Sequence, residues 1–150
     1  MDIRSFNEKD FPAIMDIYAK SKMDELVNES RTFKFLPLDK DLKRLIEFQE
    51  SDVYVFEHNG IIGYGALFGC EIRGLFVHPD GRGKGFGKLL LAHLLSKIEE
   101  PAFLYVAQTN TAAKVLYEKF GFKVVEEFET TYNRVPVLAN KMMRARSHEK

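Results

Sequence analysis

Between Gly81 and Leu91 the chain reads GRGKGFGKLLL, a glycine at every second position giving way to an aliphatic run. The preceding EIRGLFV, 71 to 77, reads as a strand and HPDGRGKG breaks it; Leu89, Leu90, Leu91, Leu94, Leu95 and Ile98 then keep helical spacing until Pro101. A strand that feeds a helix through such a loop offers unpaired backbone N–H groups and the positive end of the helix dipole together, which suits a phosphate or diphosphate. Glycine lets that anion approach main-chain atoms a side chain would cover. Two familiar spacings fail: Leu89 stands where the P-loop needs Ser or Thr, and GxGxxG would end on Phe86 or Lys88. A glycine-rich turn with a structural role is the alternative to anion contact.

The elements that must position this loop are legible around it. DIRSF is a short strand, and Asn7 with Asp10 starts a helix over 8–22 with the apolar stripe Phe11, Ile14, Met15, Ile17 and Tyr18. Segment 23–38 has no clean period. DKDLKRLIEF is helical, and VYVFE and IIGYGALFG flank HNG as a hairpin. AFLYVA is a buried strand; NTAAKVLYEKFGF is a helix that Asn110 or Thr111 can cap and Gly121 can end. KVVEEFETTY and VPVLANKMM are the last strands, and RARSHEK is a frayed tail. Helices and strands alternate around one mixed sheet.

Composition bounds the function. At 150 residues and 45% hydrophobic, the chain is expected to form one domain, 1–150. Twenty-two basic residues balance 22 acidic ones, so no bulk field argues for nucleic acid or an anionic membrane. No apolar run approaches a bilayer span and the N-terminus lacks a signal-peptide layout, which predicts a cytoplasmic protein. A single cysteine, Cys70, excludes an intramolecular disulfide, and no Cys/His cluster has zinc-ligand spacing, so no metal is expected.

Arg82, Gly85 and Gly87 in RGKGFG, preceded by a hydrophobic strand and VHP, resemble the R/Q-x-x-G-x-G/A signature of the GCN5-related N-acetyltransferases. NTAAKVLYEKFGF resembles that family's second motif, and residues 52–143 follow its order of elements. The resemblance implies an α/β (α+β) fold, a mixed, mostly antiparallel sheet of about seven strands with splayed parallel strands and flanking helices. It implies acetyl-CoA as cosubstrate in the splayed gap and an amine, protein or small molecule, as acceptor, in a monomer or homodimer. The main chain of Leu75, Phe76 and Val77 would then hold the pantetheine arm as an added strand would, and the amides of Arg82, Gly83, Lys84, Gly85, Phe86, Gly87 and Lys88 the diphosphate. Asn110, with Ala113 one turn on, matches the position that touches the cofactor arm; a plain helix cap is the alternative for Asn110.

Tyr117 matches the tyrosine that in this family protonates the departing thiolate; the alternative is a core tyrosine on the stripe Ala113, Leu116, Tyr117 and Phe120. A phenol of pKa about 10 keeps its proton at neutral pH and can give it to a sulfur whose thiol pKa is near 8.5. An acceptor amine of pKa about 10.4 must lose a proton before it attacks, which calls for a base or a water chain. Glu71 aligns with the glutamate that serves as base in histone-acetylating relatives, and an even separation from Val77 predicts a shared strand face. Arg73 on that face could pair with Glu71. Cys70 falls on the opposite face by alternation, which disfavours a covalent relay, and His58, His78, His93 and His148 have no partners suggesting catalysis. The competing class is a non-catalytic acyl-CoA sensor, which would keep RGKGFG without needing Tyr117 or Glu71. Segment 23–38 and the hairpin near Asn133 are expected to shape the acceptor groove, with Phe33, Phe35 and Leu36 either lining it or filling the core.

Overall fold

The computed structural model describes residues 2–31, 33–99 and 101–145. Strand β1 (Asp2–Ser5) leads into a 3-10 turn, Glu8–Asp10, and helix α1 (Phe11–Lys22). A capping box starts the turn: Asn7 Oδ1 accepts from the Lys9 amide at 3.0 Å, and Asp10 accepts from the Asn7 amide at 2.8 Å. The helix expected over 8–22 begins its α-helical part at Phe11 because Pro12 has no N–H to give Glu8 and its ring would strike that carbonyl.

Helix α2 (Leu42–Glu50) is capped by Asp41, and β2 (Asp52–Glu57), β3 (Ile61–Phe68) and β4 (Glu71–Val77) follow as an antiparallel meander. The HNG turn takes positive φ at Asn59 and Gly60, as a tight hairpin requires. Helix α3 (Phe86–Leu95) carries the chain to β5 (Ala102–Ala107), and α4 (Thr111–Lys119) carries it to the hairpin of β6 (Phe122–Tyr132) and β7 (Val135–Arg144). α3 ends before Ile98 because the Ser96 hydroxyl bonds the His93 carbonyl at 2.6 Å. Arg144, expected in a frayed tail, closes β7 opposite Ala102, its Nε on the Phe120 carbonyl at 2.6 Å. Residues 146–150 of that tail, with His148, lie outside the described residues.

The seven strands run in the order β1-β2-β3-β4-β5-β7-β6, a mixed open sheet that is antiparallel except between β4 and β5. One face of β2 and β3, with Val53, Val55, Tyr64 and Ala66, packs on Ile14, Ile17 and Tyr18 of α1 and on Leu45 and Phe48 of α2. The other face gathers Leu67, Ile72, Leu104, Val106 and Met142 under Leu91 and Leu94 of α3 and Tyr117 of α4. Gly65 lets α3 lie close, since a Cβ there would stand 2.7 Å from Leu94 Cδ1. Segment 23–38, unreadable in sequence, opens with a 3-10 turn at Met23–Leu26, and its described residues from Val27 to Pro37 are non-helical. Phe33 meets the Tyr132 ring at 5.9 Å and Phe35 the Tyr18 ring at 6.1 Å, so both fill the core.

Candidate active site

The ladder between β4 and β5 consists of Glu71 opposite Phe103 and Ile72 opposite Leu104, after which pairing stops. Two features separate the strands. Arg73 forms a bulge on β4, because Ala66 faces Gly74 while the next residue, Leu67, faces Ile72. β5 meanwhile stays with β7 through Ala107, opposite Ala139. A cleft of about 510 Å³ occupies the gap, lined by β4, the last half of β5, α4 and the turn after α1.

Register decides which main-chain groups face this cleft. The His78 amide bonds the Ile62 carbonyl at 2.7 Å, so His78 and Ile62 are a hydrogen-bonded pair and Val77 with Gly63, one residue back, is a non-bonded one. Alternation turns the N–H and C=O of Leu75 and Val77 toward β5. Phe76 is different: its main chain is turned to Tyr64 of β3, and its ring lies against Tyr18 and Tyr64 on the α1 side. Of the tripeptide expected to bind an extended arm, Leu75 and Val77 turn their main chain to the gap, where the Val77 carbonyl meets Arg82 Nε and Ser21 Oγ. Across the gap the Gln108 amide bonds the Leu138 carbonyl at 2.9 Å, and the same alternation turns the Ala107 amide toward β4.

The glycine loop supplies a second set of donors. A 3-10 turn, Pro79–Gly81, consumes the Gly81 and Arg82 amides on the His78 and Pro79 carbonyls, which removes Arg82 from the expected run of free amides. Gly83 and Gly85 then take φ of +78° and +81°, conformations costly for any other residue, and open space lies where their Cβ atoms would be. Gly85 caps α3 through its carbonyl, which accepts from the Leu89 amide at 3.2 Å, and has no side chain to bond the first turn. The amides of Gly83, Lys84, Gly85, Phe86, Gly87 and Lys88 have no acceptor among the described residues. Six unpaired donors at a helix start, with Cβ atoms absent where an anion would rest, fit a diphosphate.

Side chains approach the cleft from both sheet faces. Tyr117 lines it from α4, its ring packed edge-on to Phe122 at 5.7 Å; burial first, and then the Glu25 carboxylate, push its hydroxyl well above the ordinary phenol range. Glu71 lines the cleft from the other face. The bulge at Arg73 cancels the parity expected from sequence: Val77 packs toward Phe86 and Leu90 under α3, whereas Glu71 sits with Phe68 and Arg73 on the α2 side. Arg73 Nε donates to Glu71 at 3.4 Å, while its Nη1 donates to Glu50 at 2.6 Å and to the Glu47 carbonyl at 3.3 Å. Asn110 and Ala113 both line the cleft, and Asn110 Oδ1 caps α4 by accepting from the Ala113 amide at 3.4 Å.

Segment 23–38 and the last hairpin do border the cleft, but sequence reasoning named none of the residues by which they do so. Ser21, Lys22, Asp24 and Glu25 reach the cleft from the end of α1 and its following turn, and Tyr132 from the end of β6. Lys22 Nζ donates to Glu25 at 2.8 Å; this i, i+3 pair in KMDE was the signal available for an ordered turn. Arg82 leaves the loop to meet Asp24 at 2.6 Å.

Residues 49–124 match the family model described as an acetyltransferase (GNAT) domain. The chain is 36% identical over 77 residues to the peptidyl-lysine N-acetyltransferase YjaB of Salmonella typhimurium, covering 51% of this chain and 52% of that protein, so it spans about half the length of the curated relatives it matches. The solution structure of apo YjaB from Escherichia coli superposes with a TM-score of 0.71 at 28% identity, over 95% of each chain. A structure of YncA from Salmonella typhimurium with its cofactor acetyl-CoA shares the fold, with a TM-score of 0.69 at 22% identity over 100% of this chain and 96% of that one. Among the described residues no group of His, Cys, Asp and Glu could hold a metal, and no helix is long and apolar enough to cross a membrane.

Proposed function

The chain belongs to the GNAT acetyltransferase family, and from that membership and the cleft we propose that residues 1–150 form one acetyl-CoA-dependent N-acetyltransferase domain acting by direct attack. The observation that carries this reading is the run of free amides from Gly83 to Lys88 at the mouth of a gap edged by main chain of Leu75 and by the Val77 and Ala107 amides, none of which pairs with a neighbouring strand there. Acetyl-CoA brings the activated acetyl thioester. The protein orients it: the loop amides would hold the diphosphate, and the free strand edges would hold the amide-bearing arm as one more strand.

Tyr117 and Glu71 lie on opposite sides of the sheet, so a donor to the departing sulfur and an acceptor for the amine proton would reach one gap from different faces. The Tyr117 hydroxyl keeps its proton far above neutral pH, which makes it a donor to a thiolate. The Val77 amide would polarise the thioester carbonyl. On the amine side, Glu71 takes the proton either directly or through water. Holding both reactants in one narrow cleft supplies much of the rate through orientation.

For the acceptor we favour a peptide amine. The carboxylates of Glu25 and Glu71 border the α1/α2 side of the cleft, where they suit a single ammonium, and a matched relative is a peptidyl-lysine N-acetyltransferase. Calorimetry with coenzyme A, followed by thioester-consumption assays over lysine peptides, peptides with free N-termini and small amines, tests the proposal. Binding with turnover on a peptide amine is expected; absence of coenzyme A binding would remove it.

A further inference from the structure

The Arg82 side chain closes over the cleft that its own loop borders. Nη1 donates to Asp24 Oδ2 at 2.6 Å, Nη2 to Ser21 Oγ at 3.4 Å and Nε to the Val77 carbonyl at 3.3 Å. Ser21, at the end of α1, also donates from its hydroxyl to that carbonyl at 3.4 Å. One guanidinium thus ties the glycine loop to the acceptor-side turn and covers a β4 acceptor that register turns into the gap. All four residues line the cleft.

These contacts compete with the diphosphate reading. Arg82 stands at the head of the free amides Gly83–Lys88, where a diphosphate would offer several charged oxygens in the geometry a guanidinium matches best. Asp24 offers one oxygen contact between side chains 44% and 53% exposed, a pair that solvent leaves worth no more than about fivefold in an equilibrium. A diphosphate is therefore the stronger partner for this guanidinium.

We propose that Arg82 is a displaceable plug: Asp24 holds it across the cleft, the diphosphate of acetyl-CoA takes it over, and the exchange unpins the turn Met23–Leu26. The inference rests on the acetyl-CoA reading above and adds Asp24 as a positioning residue acting through Arg82. It couples the two substrates through a lost contact, since the released turn carries Glu25, which lines the cleft with Tyr117 and Tyr132. Asp24, freed of its cation, then adds a carboxylate on the side where an ammonium would enter.

Hydrogen exchange on the full chain with and without coenzyme A, together with calorimetry on Asp24→Asn and Asp80→Asn, tests this. In the parent, coenzyme A should slow exchange at Gly83–Lys88 and speed it at the Val27 and Glu29 amides, which bond the Asp24 and Leu26 carbonyls. Asp24→Asn should bind coenzyme A roughly two- to fivefold tighter, with its turn already fast and unresponsive. Asp80→Asn removes the same charge beside the loop without touching Arg82, and should gain less than half as much. A turn that slows or holds steady in the liganded parent, or equal tightening by both variants, overturns the plug. No heat at all from the parent would instead remove the acetyl-CoA reading, and the plug with it.

Discussion

Ile72 and Leu104 form the last rung of the β4–β5 ladder, and the cleft that opens past it is lined by Tyr117 and by Glu71 from opposite faces of the sheet. Tyr117 comes from the α4 side. Replacing it with Phe removes a hydroxyl that bonds no other described residue, so the fold and coenzyme A affinity should be kept while kcat falls by about 10²-fold. Steady-state kinetics beside calorimetry measure both; unchanged turnover would remove Tyr117 from the chemistry.

Glu71 comes from the α2 side, paired with Arg73. Glu71→Gln keeps the shape and the hydrogen-bonding reach but cannot take a proton, and should lower kcat/KM for an amine by about 10²-fold with coenzyme A affinity unchanged. Partial recovery in Glu71→Asp would separate proton transfer from packing. Equal rates for parent and Gln variant would leave the water chain as the base.

Two glycines of the loop should part company. Gly85, at φ +81°, would be strained by any Cβ, so Gly85→Ala should cost about 1–2 kcal/mol and weaken coenzyme A binding. Gly87 lies in the first turn of α3, where a Cβ would meet Leu116 and Val77 at 3.7 and 3.8 Å, ordinary contacts. Gly87→Ala should leave stability equal or up to about 1 kcal/mol higher. Thermal melts with a coenzyme A titration check both.

Most of the scaffold could be read from residue order because local signals agreed with burial. Alternation marked the strands, apolar spacing the helices, and glycine the loop; Asn7 with Asp10 and Asn110 marked the caps now observed. What stayed hidden depends on distant partners. The bulge at Arg73 arises from how β4 sits between β3 and β5, and no residue type announces it, which is why counting by twos misplaced Glu71 relative to Val77. Segment 23–38 is shaped by Phe33 on Tyr132 and by Asn133 Nδ2 on the Lys34 carbonyl at 2.7 Å, contacts about a hundred residues apart in sequence. The Arg82–Asp24 pair is of the same kind.

Acid stability should follow Asp10. Hydrogen bonds from Arg4, above all, hold its carboxyl below the usual range, with burial opposing and the Asn7 amide assisting. A depressed folded pKa stabilises fully above the unfolded value of about 3.9 and is lost as pH falls through the folded one. Urea midpoints measured from pH 7 to pH 2 should therefore drop below about pH 4 in the parent. Asp10→Asn should start lower at pH 7 and lose less over that window; parallel curves would contradict the assignment.

The short parallel ladder has a mechanical meaning as well. β1 to β4 form one hydrogen-bonded raft and β5, β7 and β6 another, stitched by two facing pairs and by the side-chain cluster of Leu91, Leu94, Leu104 and Met142 beneath them. Under load the molecule should tear along this seam first, with each raft still internally zipped. The cleft proposed to admit substrates would then also be the line along which the protein comes apart.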